Sequence, residues 1–340
     1  VLKEATLAKP LSKGVVQCQA CEHFCAVKPG EAGKCGVRRN VDGQLYLVVY
    51  GEPIAVHIDP IEKKPLFHFH PGASVLSIGT YGCNFRCPFC QNWQMSQRRE
   101  FSSDVHRLGE QAPPEAIVEA CLRQSIPLIA YTYNEPTVFF EYTLDTARLG
   151  HEHGIESVYV SNGFMSLAAL GAIKPYLDAI NVDLKAFSEG FYAEQCQGRL
   201  EPVKRNIAHI ATETDIWIEV TTLLIPGLND SDAELQAMAE WLASVDPDMP
   251  WHISAFHPDY EMLDRPRTPA GSLARAYDIG KEAGIRYVYV GNVMDEERES
   301  THCPSCGATL VRRHWYSVEE QWKERGICHQ CGTPVAGVWA

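Results

Sequence analysis

Residues 74–90 read SVLSIGTYGCNFRCPFC, an apolar strand that runs through Gly82 into a loop carrying Cys83, Cys87 and Cys90. The strand is the first of a series. Downstream come the short apolar runs PLIAYT, IESVYVS, AINVDL, DIWIEVTT, WHISAF and RYVYV, with amphipathic stretches at 113–124, 137–153, 231–244 and 271–284 between them. Strand and helix in repeated alternation predict an α/β fold, a parallel sheet that right-handed crossovers curl into a partial or full barrel. Chemistry in such barrels gathers at the C-terminal ends of the strands, and the three-cysteine loop leaves the first strand at that end.

Small cysteine-rich modules flank the alternating region. Residues 18–36, CQACEHFCAVKPGEAGKCG, hold Cys18, Cys21, Cys25 and Cys35 with little room for regular structure. Residues 45–69 then read as short strands and a hairpin. Near the other end, CPSCG and CHQCG place Cys303, Cys306, Cys328 and Cys331 in two Cys-x2-Cys knuckles, each followed by glycine. The expected division is therefore a metal-binding and hairpin region at 1–72, a barrel at 73–298 and a zinc-ribbon-like module at 299–340.

Composition limits what such a chain can do. Its 340 residues are 45% hydrophobic and 21% charged, values of an ordinary globular protein with a sizeable core. A formal charge of -13 and the lack of a long basic run argue against a nucleic-acid footprint and against an anionic membrane surface. The opening VLKEATLAKPLSKG has no signal-like apolar run, and no segment approaches the roughly 20 apolar residues that span a bilayer, so a cytoplasmic protein is expected. Without a secretion signal, the 13 cysteines read as metal or cluster ligands rather than as disulfides.

The central trio is the chemical puzzle. Structural zinc is closed and four-coordinate, so three thiols would need a fourth ligand from elsewhere. A 4Fe–4S cluster on three thiolates keeps one iron open to an exogenous ligand, and S-adenosylmethionine can fill that position through its amino and carboxylate groups. Cys83-x3-Cys87-x2-Cys90, with Phe89 before the last cysteine, resembles the signature of the radical S-adenosylmethionine (radical SAM) enzymes. The surrounding YGEPIAVHIDPIEKKPLFHF, GCNFRCPFCQNWQMSQ, YTYNEPT, NVDLKAF, PGLND, WHISAFHPDY and YVYVGNV resemble the AmmeMemoRadiSam-system radical enzyme. That group is similar in its catalytic core to the pyruvate formate-lyase activating enzyme.

The resemblance implies a partial (β/α)6-type TIM barrel with a reduced cluster on Cys83, Cys87 and Cys90 that cleaves S-adenosylmethionine to a 5′-deoxyadenosyl radical, which abstracts hydrogen from a protein or small-molecule substrate. It implies a low-potential donor of the flavodoxin or ferredoxin type, and a Memo-like pathway partner. A glycyl-radical-enzyme activase is one form of this activity. The alternative from another class is a zinc-stabilised binding scaffold without catalysis.

Other residues carry a structural and a functional reading side by side. Asn134 and Glu135 precede Pro136 and suit a helix start, while the resemblance puts Glu135 on the cofactor amine. Ser161 and Asn162, before Gly163, suit a turn, while the resemblance implies that they hold the methionyl and ribose part of the cofactor. Asp183 and Lys185 share a strand face, as an ion pair or as contacts to cofactor or substrate. The resemblance places a ribose contact near His257, and Tyr131 is a candidate wall of the pocket, as are Tyr133, His57 and His68. Cys121 and Cys196 read as buried small hydrophobes. The C-terminal knuckles fit zinc. Cys18, Cys21, Cys25 and Cys35 fit either structural zinc or an auxiliary iron–sulfur cluster, with His23 lying between the ligands.

Overall fold

A computed structural model describes residues 2–98, 111–322 and 324–339. Its centre is an eight-stranded sheet whose spatial order follows the chain. We label the strands β1 (Ala55–Pro60), β2 (Ser74–Gly79), β3 (Leu128–Tyr131), β4 (Glu156–Ser161), β5 (Ala179–Asp183), β6 (Trp217–Leu224), β7 (Trp251–Ala255) and β8 (Val288–Gly291). From β2 to β8 every neighbouring pair is parallel, and β1 runs antiparallel to β2. Among the described residues β8 and β1 are not paired, so the barrel is open.

Six helices make the crossovers: α1 (Pro114–Gln124), α2 (Phe140–Glu152), α3 (Leu167–Ile173), α4 (Leu200–Glu213), α5 (Asp232–Val245) and α6 (Ala270–Glu282). Each buries one stripe, as Ile117, Val118 and Cys121 do on α1. Ser166 and Ser231 fix the starts of α3 and α5 by accepting from the amides of Ala169 and Glu234. The sequence reading did not include α3 and α4. In α4 the signal was present, since Leu200, Val203, Ile207 and Ile210 repeat at helical spacing.

Strand alternation sorts side chains into two cores. Ile129, Tyr131, Tyr159, Ile180, Val182, Ile218 and Val220 face the helices. Leu128, Ala130, Val158, Ala179 and Trp217 face inward and, with Ile61, Leu66, Phe69 and Val338, fill the N-terminal end of the barrel. The C-terminal end is left for a cavity.

The hairpin expected across 45–69 forms earlier in the chain. Arg38–Val41 pairs with Gln44–Leu47 through Asp42 and Gly43, both at positive φ, the two-residue turn that an Asp-Gly step favours. Residues 55–60 instead pair with β2 and extend the barrel sheet. The N-terminal module is anchored by a buried two-pronged pair, Arg38 Nη1 and Nη2 donating to Glu141 of α2 at 2.8 Å each. The C-terminal module is a three-stranded sheet, Thr301–His302, Thr309–His314 and Ser317–Glu320. It docks through Arg313, which is fully buried and donates to the carbonyl of Phe67 at 2.6 Å. Among the described residues no helix is long and apolar enough to cross a membrane.

Candidate active site

The loop after β2 is shaped by contacts that few side chains tolerate. Gly82 has φ +88°, and a Cβ there would stand 2.6 Å from the carbonyl oxygen of Cys35. Asn134 ties the loop to the strand end, accepting from Thr80 N at 3.1 Å and donating to Gly82 O at 2.7 Å. Farther along, Phe85 fills the space over Gly198, where a Cβ would meet its ring at 2.5 Å.

So held, Cys83, Cys87 and Cys90 all line one cavity of ≈ 1090 Å³ counted out to its mouth. The inward residues at the C-terminal strand ends form its far wall: Thr132, Val160, Asp183, Thr221 and Ser254. Phe85 N approaches Cys83 Sγ at 3.5 Å, and Ser96 Oγ lies 3.1 Å from Cys90 Sγ. Burial pushes the thiols of Cys83 and Cys90 above their ordinary range. Cys87 is pushed up by a hydrogen bond with Cys196 and by burial. Ligation therefore displaces thiol protons, and metal uptake is favoured by rising pH.

Glu135 is buried beside the trio and is the N-cap of the helical turn Pro136–Phe139, accepting from Thr137 N. The same carboxylate accepts from Thr137 Oγ1 at 2.5 Å, Ser161 Oγ at 2.9 Å and Asn162 N at 2.8 Å. Burial pushes its carboxyl pKa up, with those donors pulling the other way. The helix-start reading and the site reading thus coincide in one side chain. Asn162 donates to Asn84 Oδ1 at 2.7 Å, next to Cys83, and Gly163 turns the chain at φ +70°.

Asp183 and Lys185 both line the cavity and pair at 2.9 Å. Burial works to discharge Lys185, but Asp183, Cys87 and Cys196 outweigh it and keep the ammonium charged. The cavity thus gathers three thiols, a fixed carboxylate and a cation–carboxylate pair.

Several of the expected cavity residues stand elsewhere. Tyr131 is fully buried among the helix-facing residues, edge-on to Tyr159 at 5.5 Å, because strand alternation sends 131 outward and 130 and 132 inward. His257 does not line the cavity; its Nδ1 lies 3.4 Å from Pro258 O. Ser161 reaches the site only through Glu135. Of the weaker candidates, Tyr133 lines the cavity and donates to Asp59 at 2.8 Å. His68 lies at the sealed end instead, within 2.6 Å of Ala336 O. Sequence reasoning missed Thr221, whose buried Oγ1 has no hydrogen-bond partner and whose residue lines the cavity. Its place at the C-terminal end of the run DIWIEVTT was the available signal.

The two four-cysteine groups differ. The sulfurs of Cys303, Cys306, Cys328 and Cys331 all lie within 4.8 Å of one another, the only such set of His, Cys, Asp or Glu ligands among the described residues. Cys18, Cys21, Cys25 and Cys35 line a separate cavity without closing in this way.

Comparison with known proteins narrows the chemistry. The model of the radical SAM superfamily matches residues 77–242. An uncharacterized protein of Methanocaldococcus jannaschii is 41% identical over 98% of this chain and 99% of its own length. A putative glycyl-radical enzyme activating enzyme of the same organism is 23% identical, over 63% of this chain and 78% of its own. Among solved structures, a radical SAM methyltransferase from Sphaerobacter thermophilus superposes with a TM-score of 0.51 at 18% identity, covering 65% of this chain and 67% of that one.

Proposed function

This chain belongs to the radical SAM superfamily, and from that premise we propose that Cys83, Cys87 and Cys90 seat a 4Fe–4S cluster with S-adenosylmethionine on the iron that no thiol ligates. One observation carries the reading: among the described residues, Cys83, Cys87 and Cys90 share their cavity with no fourth thiol. Cys196, whose thiol is hydrogen-bonded to Cys87, is fully buried and lies outside the cavity lining. Three thiolates on four irons leave one coordination position for an outside ligand. When bound, the reduced cluster supplies the electron that cleaves S-adenosylmethionine to methionine and a 5′-deoxyadenosyl radical, and that radical takes hydrogen from the substrate.

The chain's own residues bind and orient. Glu135 accepts the cofactor ammonium, kept in place by Thr137, Ser161 and Asn162 so that it need not reorganise on binding. Asn134 holds the cysteine loop, and Asn162 steadies Asn84 beside Cys83. Asp183 and Lys185 face the cofactor carboxylate and ribose, or the substrate.

Residues 1–72, 73–298 and 299–340 act as an N-terminal metal module, the catalytic barrel and a zinc-ribbon module, the first lending β1 to the barrel. The electron comes from a low-potential flavodoxin or ferredoxin in the cytoplasm. Similarity to a putative glycyl-radical enzyme activating enzyme favours a protein substrate. The AmmeMemoRadiSam-like motifs favour a Memo-like partner in the same pathway.

Anaerobic reconstitution tests the reading. Expected are a SAM-dependent change in the cluster spectrum, 5′-deoxyadenosine release with a strong reductant, and loss of both in Cys83→Ala. Zinc at Cys83, Cys87 and Cys90 with no iron uptake would leave the scaffold alternative standing.

A further inference from the structure

Cys18, Cys21, Cys25 and Cys35 line one small cavity. A zinc ion 2.3 Å from each of four sulfurs would hold those sulfurs roughly 3.8 Å apart. The C-terminal group has that spacing, with Cys303–Cys331 at 3.5 Å and Cys306–Cys328 at 3.7 Å. The N-terminal sulfurs are not gathered into such a set.

A second, independent observation concerns donors. Arg38 and Asn84 both line this cavity, and each is only 1% exposed. Arg38 spends Nη1 and Nη2 on Glu141, and Asn84 spends Oδ1 on Asn162. Arg38 Nε and Asn84 Nδ2 are left buried with no partner, not even a cysteine sulfur. A buried N–H without an acceptor costs about 1–3 kcal/mol. Both donors belong to residues that line this cavity, and acceptors inside it, between the thiols rather than on them, would satisfy them. Inorganic sulfide meets that need, since the sulfurs of iron–sulfur clusters accept N–H hydrogen bonds.

We infer that Cys18, Cys21, Cys25 and Cys35 ligate a second 4Fe–4S cluster, with Arg38 Nε and Asn84 Nδ2 donating to its sulfides. All four irons of this cluster carry a thiolate, so it has no open position for S-adenosylmethionine. It stands directly behind the three-cysteine loop: Gly82 packs on the Cys35 carbonyl, and His23 Nε2 donates to Asn84 O at 2.9 Å. The assignment does not depend on the chemistry proposed for the central trio.

Anomalous diffraction from the anaerobically purified full chain, above and below the iron and zinc edges, locates each metal without any variant. Iron is expected at the N-terminal cysteines and zinc only at the C-terminal group. In the Cys83→Ala/Cys87→Ala/Cys90→Ala variant, iron and sulfide should fall from about eight to about four per chain, with a spectrum indifferent to S-adenosylmethionine. Cys18→Ala/Cys21→Ala should lose the complementary four and keep the SAM-responsive signal. A zinc-edge peak at the N-terminal cysteines, or an iron-free central variant, overturns the inference. Absence of 5′-deoxyadenosine with both iron peaks present would count against the central site's chemistry alone.

Discussion

Glu219 and Thr221 sit two residues apart on the inward face of β6, and the barrel treats them in opposite ways. Glu219 accepts from Phe67 N, His68 N, Trp217 Nε1 and His252 Nε2, at 2.6–3.0 Å, and is fully buried. Thr221, toward the C-terminal end, has a buried hydroxyl with no partner. At one end of the barrel both oxygens of the buried Glu219 carboxylate are used. At the other, polar groups are held in place and left facing a cavity. The same strand therefore serves stability at one layer and ligand binding at the next.

Substitution at the sealed end should have the largest effect. Glu219→Gln turns amide hydrogens toward donors, and breaking this buried network should remove about 3–5 kcal/mol of unfolding free energy. Urea denaturation reads that loss, while the rate of S-adenosylmethionine cleavage per folded molecule should stay unchanged. A drop in turnover without a drop in stability would erase the distinction between the two ends.

Acid should act on the sealed end next. His68 donates from Nδ1 to Ala336 O and accepts from Tyr289 at Nε2, so the ring is held neutral. Burial pushes its pKa down to about 4. The unfolded chain takes up this proton near pH 6.5 and the folded chain resists it, so stability is full above pH 6.5 and declines as pH falls toward 4. The loss is about 3 kcal/mol over that window. Urea midpoints across the range should fall more steeply in the wild type than in His68→Asn.

At the open end the cost should move from stability to binding. Glu135→Gln is expected to weaken S-adenosylmethionine binding by about 10- to 100-fold, the worth of a charge-assisted hydrogen bond, with unfolding changed far less than in Glu219→Gln. Isothermal titration of the reconstituted protein measures it. Thr221→Val is the smallest and sharpest case. Removing an unpartnered hydroxyl should alter stability by less than about 0.5 kcal/mol, yet cost several-fold in cofactor or substrate affinity. Equal and large losses in stability at Thr221 and Glu219 would show that the layers do not differ.

How far these features were readable varied with their range along the chain. The seven parallel strands stood out because each is a short apolar run, and the cysteine loop because its three thiols fall within eight residues. The hairpin was misplaced because β1 and the strand before it look alike in sequence. Only pairing distinguishes them, β1 with β2 and Gln44–Leu47 with Arg38–Val41. Tyr131 was misread for a related reason: a strand known without its register has two faces, and which one meets the cavity is fixed by its neighbours.

The sequence by itself determined the alternation of strands and helices and the grouping of the cysteines, since both rest on spacings of a few residues. Tertiary packing alone decided which four-cysteine set closes to metal spacing and which stays open around a cavity. It also decided that Arg38 Nε and Asn84 Nδ2, on two residues that line that cavity, are buried without a partner. Separations between sulfurs, and the presence of an acceptor for a buried N–H, depend on elements brought together from distant parts of the chain. No local pattern encodes them.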